Sequence, residues 1–291
     1  MSRSLLAILA TVTIAFVACL KQDGGDGGGL TSSEALEAIN QALISTEGES
    51  FTNGIIEIST NFTIGDAVQA AAQELRAWFE SQIDCSTVTI DDASVTIDFG
   101  ELNDACVYNG MTYAGVTVIS IESIQDGQVT VGHQWTDMTN GIVTVNGSAQ
   151  VTWSASDVSR RVQHQITSTS LRGSVTATGD RTMQLINPTR TWWENGILIN
   201  GSRNWTSENT EWSMAIQGVE VRAQDPVPQA GTYTLTIPDG RTLSLIFERQ
   251  TDDIIRVTLT GTRQDWVFDV TRTGEVLDEA EGTGEGTGMA S

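Results

Sequence analysis

The chain has 291 residues, with 15 Lys+Arg against 37 Asp+Glu and a formal net charge of -22. That balance repels phosphate backbones and anionic membrane surfaces, so it argues against nucleic acid as a partner. With 39% hydrophobic and 18% charged residues, eight Trp among them, the composition supports a sizeable core and excludes wholesale disorder.

Residues 1–18 have the layout of a signal peptide, with Arg3 as the basic residue, an apolar run from Leu5 to Val17, and the small Ala18. The apolar run is too short to span a bilayer comfortably. The ending Phe16-Val17-Ala18-Cys19 resembles the lipobox of bacterial lipoproteins. That resemblance implies cleavage before Cys19, lipid on its sulfur, and a cell-envelope protein whose partner is a membrane reached through the anchor. Leu20 in place of Asp implies, by the same resemblance, the outer membrane. The alternatives are an ordinary cleaved signal with an incidental Cys, or an uncleaved anchor. Residues 19–30, rich in Gly and Asp, read as a tether between lipid and fold.

Residues 31–274 read as one domain. Thr31-Ser32-Ser33-Glu34 fits a capping box ahead of Leu36, Ile39, Leu43 and Ile44 at helical spacing. A strand is expected at Ile55 to Ser59, and a second helix from about Asp66 to Ile83, with Val68, Ala71, Leu75, Trp78 and Phe79 on one face.

From Thr87 the period changes to 2, as in Val129, Val131 and Trp135, or Leu243, Leu245 and Phe247. Polar residues intervene, the pattern of an antiparallel sheet with one face buried. The fold class expected is therefore mainly β: a large antiparallel meander, as a curved sheet, half-barrel or barrel, with two N-terminal helices. A transmembrane barrel is the architectural rival. Phase slips at Val118-Ile119 and Gly218 predict bulges. Asn-Gly at Asn53, Asn109, Asn140, Asn146, Asn195 and Asn200, with Asp126-Gly127 and Asp239-Gly240, predicts tight turns. The segment from Asn140 to Ser148 is echoed from Asn195 to Ser202, which reads as a repeated hairpin unit. The segment with Asp98-Phe99-Gly100, Cys106, Asn109-Gly110 and Gly115 is similar to uncharacterised β-rich envelope lipoproteins, which implies this architecture and no activity. Residues 275–291 read as a disordered acidic Gly/Thr tail.

With Cys19 assigned to lipid, Cys85 and Cys106 remain as an even pair in an exported chain, and a disulfide is the default. A metal site or a reactive thiol is the alternative. The sequence offers no catalytic residue: G-x-S-x-G, H-E-x-x-H and S-x-x-K are missing, and no cofactor-binding or metal motif is present. His133 and His164 are the only two histidines and stand in phase with apolar neighbours. They are either a paired site in a β cavity or satisfied core imidazoles. Five Trp crowd residues 153–212; Trp192 and Trp193, adjacent on an expected strand, must point to opposite faces, so one could stack against a glycan or lipid. The function expected is a lipid-anchored, non-enzymatic binding or structural module for a glycan, lipid or protein ligand. The rival is an envelope glycan hydrolase using paired carboxylates.

Overall fold

The computed structural model describes residues 28–59, 73, 75–77, 79–81, 83–104, 106–108, 111–125, 128–154, 159–187, 196–222 and 225–280. Thr31 opens the first element as the capping pattern requires. Its amide donates to Glu34 Oε2 at 2.7 Å, and the Glu34 amide donates to Thr31 Oγ1 at 3.2 Å, satisfying two donors that a helix start leaves free. Helix α1 then runs unbroken over Ser32–Ser59. The strand expected at Ile55 to Ser59 and the turn expected at Asn53-Gly54 are therefore both helical. Tertiary contacts decide this: Phe51, Ile55 and Ile56 are buried, and Arg181 donates to the Asn53 side chain. Of the second expected helix, residues 75–77 and 79–81 are helical and bury Leu75 and Phe79, while 66–72 lie outside the described residues.

The sheet strands are β1 (Thr87–Asp91), β2 (Ser94–Asp98), β3 (Cys106–Tyr108), β4 (Met111–Gln125), β5 (Gln128–Thr139), β6 (Val143–Ser154), β7 (Ser159–Ser170) and β8 (Gly173–Leu185). They continue as β9 (Ile197–Ser207), β10 (Thr210–Arg222), β11 (Asp225–Thr236), β12 (Thr242–Arg249), β13 (Ile254–Thr260), β14 (Trp266–Thr271) and β15 (Val276–Ala280). All pair antiparallel in one 15-stranded sheet that follows chain order from β1 to β15, with β3 paired to the start of β4. Among the described residues the two ends of this order are not paired. The sheet is open, which removes the closed barrel and with it the membrane-spanning barrel, whose every strand edge must be paired. No helix among the described residues is long and apolar enough to cross a membrane. Strand β15 replaces the disorder expected of the tail over residues 276–280; the rest of that tail, 281–291, lies outside the described residues.

Helix α1 lies across the strands. Near its start Glu34 pairs with Arg241 of the β11–β12 turn at 2.5 Å; further on Phe51 stacks on Tyr113 of β4, with ring centroids 5.9 Å apart. Glu34 to Phe51 spans about 26 Å of helix at 1.5 Å per residue. The strands it bridges, β12 to β4, are eight spacings apart in the strand order, about 38 Å of sheet at 4.7–4.9 Å per spacing. The straight helix is thus the chord of a sheet that curls around it. It sits close, since a Cβ on Gly48 would lie 2.4 Å from Ser168 Cβ.

Of the expected turns, Asn140-Gly141 between β5 and β6 and Asp239-Gly240 between β11 and β12 are turns, while Asn109-Gly110, Asp126-Gly127 and Asn195 lie outside the described residues. Asn146-Gly147 and Asn200-Gly201 instead lie inside β6 and β9, each opposite a bulge in the neighbouring strand. Asn146 Oδ1 accepts the Asp137 amide at 2.9 Å, and Asn200 Oδ1 accepts the Gly218 amide at 2.7 Å. In both places the bulge leaves an amide off the ladder and the Asn side chain takes it. The following Gly lets the backbones close up: a Cβ on Gly147 would sit 2.3 Å from the Gln165 carbonyl oxygen, one on Gly201 2.2 Å from that of Asp180. The sequence echo is this local device used twice. It is not a repeated hairpin, because the first copy follows its bulged strand in the chain and the second precedes it. The bulge at Gly218 is present, whereas the register shifts of β4 fall between Ala114 and Val116 and between Ile121 and Ser123, not at Val118-Ile119.

Cys85 and Cys106 form a disulfide with Cα atoms 5.3 Å apart, tying β3 to the segment before β1.

Candidate functional site

Reading the pairing registers across the sheet gives one row of facing residues on the helix side: Ile119, His133, Ala149, His164, Gly179, Arg203 and Met214. From His133 to Arg203 large and small side chains alternate along the row. A Cβ on Gly179 would come within 2.3 Å of His164 Cε1, so the imidazole covers the glycine. The row settles the histidine question. Ala149 separates the two rings by two strand spacings, about 10 Å, too far for a shared metal or a direct proton relay.

Both rings are buried, His133 at 2% exposure and His164 at 8%, and His133 stacks on Trp135 with centroids 5.9 Å apart. Neither ring nitrogen of His133 has a hydrogen-bond partner. Burial lowers its pKa from 6.5 to about 3. For His164, burial and then the nearby Arg203 charge lower it to about 4. These are neutral core imidazoles at neutral pH, and the paired-site reading does not hold. Among the described residues no group of three or more His, Cys, Asp or Glu is gathered where it could hold a metal ion.

The polar centre under the helix was not legible as a site in the sequence. Glu49 of α1 is held between Arg181 of β8 and Arg203 of β9, with side-chain exposures of 8%, 7% and 2%. Arg181 also donates to Asn53, and Arg203 Nη2 donates to Thr46 Oγ1 at 2.9 Å. Burial pushes the guanidinium pKa values down, to about 9 for Arg181 and about 10 for Arg203; for Arg181 the neighbouring Arg203 charge adds to the effect. Both remain cationic at neutral pH, so two cations share one carboxylate. The available signal was an arginine at a core-phase position of an alternating strand, as Arg203 stands two residues before Trp205.

Buried Asp225, at the start of β11, lies 3.7 Å from both Arg249 and Arg272. Glu49 and Asp225 are the carboxylates buried among the described residues, each engaged by two guanidinium groups and each on a different element. Both are thus occupied in ion pairs that tie separate elements of the fold together.

Of the aromatics, Trp205 and Trp212 are cross-strand neighbours, stacked with centroids 6.4 Å apart and both buried. Trp153 is half-buried, with the Arg160 guanidinium 5.3 Å from its ring centroid. Trp192 and Trp193 lie outside the described residues, as does Cys19.

The face of the sheet turned away from α1 carries a depression of about 610 Å³ across β4 to β8, whose lining includes Gly132 and the strand positions of His133 and His164. Around it stand Gln134, Gln150, Gln163, Gln165 and Ser148, with Glu122 folded over the glycine. A Cβ at Gly132 would meet Glu122 Oε1 at 2.6 Å, and Gln150 donates to Glu122 Oε2 at 2.8 Å. Such a lining offers amide donors and acceptors with one carboxylate, which suits a neutral hydrogen-bonding ligand. No protein-family model, curated protein or solved structure matches the chain.

Proposed function

We propose that the protein is an exported lipoprotein of the cell envelope, held to the outer membrane by lipid on Cys19, and that it acts by binding and not by catalysis. The observation that supports the reading is how Leu30 is held. Leu30, a short stretch after Cys19, is pinned to the β13–β14 turn: its amide donates to the Gly261 carbonyl at 2.8 Å, and its carbonyl accepts the Arg263 amide at 2.9 Å. A lipid on Cys19 would therefore hold the whole sheet against a bilayer, and two or three acyl chains, at about 0.8 kcal/mol per buried methylene, suffice for stable attachment. The Cys85–Cys106 disulfide agrees with an oxidising compartment outside the cytoplasm.

Binding is favoured over catalysis because both buried carboxylates are engaged by arginines and both histidines are uncharged core residues. The amide-lined depression on the outer face is the surface offered to a ligand, a glycan or a protein segment. Replacing Cys19→Ser and fractionating the cells tests the anchor. The expected result is loss of the protein from the membrane pellet, together with an acyl-modified N-terminal peptide in the native protein. Unchanged sedimentation and an unmodified native peptide would refute it.

A further inference from the structure

Five large apolar side chains stand exposed among the described residues: Leu102 at 48%, Val107 at 64%, Ile142 at 63%, Leu171 at 104% and Leu277 at 44%. In a meander successive turns alternate between the two ends of the sheet. The β5–β6, β7–β8, β9–β10, β11–β12 and β13–β14 turns share one end, and it is the end where Leu30 is pinned. Ile142 is in the β5–β6 turn and Leu171 in the β7–β8 turn. Leu102 lies against Gly141, its Cδ1 3.6 Å from where a Cβ on that glycine would be, and Val107 of β3 pairs with Thr112 at the start of β4. Four of the five therefore gather at the Leu30 end, and Leu277 alone is elsewhere. The Ile142 and Leu171 hairpin tips are two strand spacings apart, about 10 Å.

We infer that this end of the sheet is a membrane-docking surface, with Ile142 and Leu171 entering the lipid. The inference rests on the anchor reading and adds an orientation to it. From Cys19 to Gly28 the chain can reach at most roughly 30 Å, at 3.3–3.6 Å per residue. Strands β5 and β6, 12 residues each, are roughly 40 Å long. A lipid on Cys19 therefore keeps the Leu30 end nearest the bilayer and the opposite turns a strand length further away. Isolated apolar side chains at hairpin tips are ordinary, but a cluster confined to the end that the anchor delivers to lipid is a surface with a partner. The net charge of -22 makes that partner a zwitterionic lipid surface.

The test uses the chain from residue 19 onward carrying Cys19→Ser, so that no natural lipid contributes, on phosphatidylcholine vesicles. Ile142→Ser with Leu171→Ser is expected to weaken partitioning at least tenfold, Leu277→Ser to leave it unchanged, and phosphatidylglycerol vesicles to bind the parent more weakly. Leu171 is fully exposed, so the fold tolerates the change, and circular dichroism with an intact disulfide checks this. Equal partitioning of parent and double variant, or no binding of the parent at millimolar lipid, overturns the docking surface. So does loss of self-association in the double variant without any change on vesicles, which would assign the tips to a second copy of the chain. The cellular Cys19→Ser fractionation reports on the anchor separately, so failure of the anchor and failure of the docking surface are told apart.

Discussion

Glu49→Gln removes the negative charge between Arg181 and Arg203 while keeping the side-chain shape. All three side chains are less than a tenth exposed, so solvent screens the site little. Breaking one partner of a buried pair typically costs about 3–5 kcal/mol because the remaining charge is left without compensation. Here two guanidinium groups remain, which places the loss toward the upper end. For a chain of this size each kcal/mol is worth about 2–4 °C, so Tm should fall by roughly 10 °C or more. Thermal and urea unfolding followed by circular dichroism measure it. A second arm isolates charge from packing: Glu49→Leu with Arg181→Met and Arg203→Met should recover most of the loss, since apolar side chains of similar volume replace buried ions at little or no cost. A loss under about 1 kcal/mol for Glu49→Gln, or a triple variant no more stable than the single one, would refute the cluster as the lock between helix and sheet.

Two further perturbations test the core and the bulges. His133 and His164 have folded-state pKa values of about 3 and about 4, below the unfolded value of 6.5. The unfolded chain therefore takes up their protons first as pH falls. Stability is unaffected by them above pH 6.5 and should drop by about 1.4 kcal/mol per pH unit for each histidine on going down toward pH 4. In urea titrations at several pH values His133→Leu should remove one histidine's share of that slope, and an unchanged slope would contradict its burial as a neutral ring. At the bulge device, Gly201→Ala forces a Cβ to 2.2 Å from the Asp180 carbonyl oxygen at φ 149°, and should cost about 1–3 kcal/mol as an overpacking strain. Asn200→Ala loses a single exposed hydrogen bond and should cost about 0.5–1.5 kcal/mol. Urea midpoints that reverse this ranking would show that the close approach is relieved at no cost.

What the sequence determined by itself is what local physics determines. The two-residue period marked core-facing residues in β5 to β7 and β10 to β14, the Thr31-Glu34 capping pair marked where α1 starts, and the pair Cys85 and Cys106 marked the disulfide. Tertiary structure decided the points where local preferences were outweighed or ambiguous. Asn-Gly is equally suited to a hairpin turn and to a bulge partner, and only the neighbouring strand made Asn140 the former and Asn146 and Asn200 the latter. Asn53-Gly54 stayed helical because the curled sheet supplies Arg181 and buries Phe51 and Ile55. The strand period marked Arg203 as core-facing, yet a carboxylate 154 residues earlier in the chain is what makes its burial tolerable. Whether the meander closed was likewise decided in three dimensions, since alternation along each strand is the same in an open sheet and in a barrel and only the pairing of the two end strands separates them.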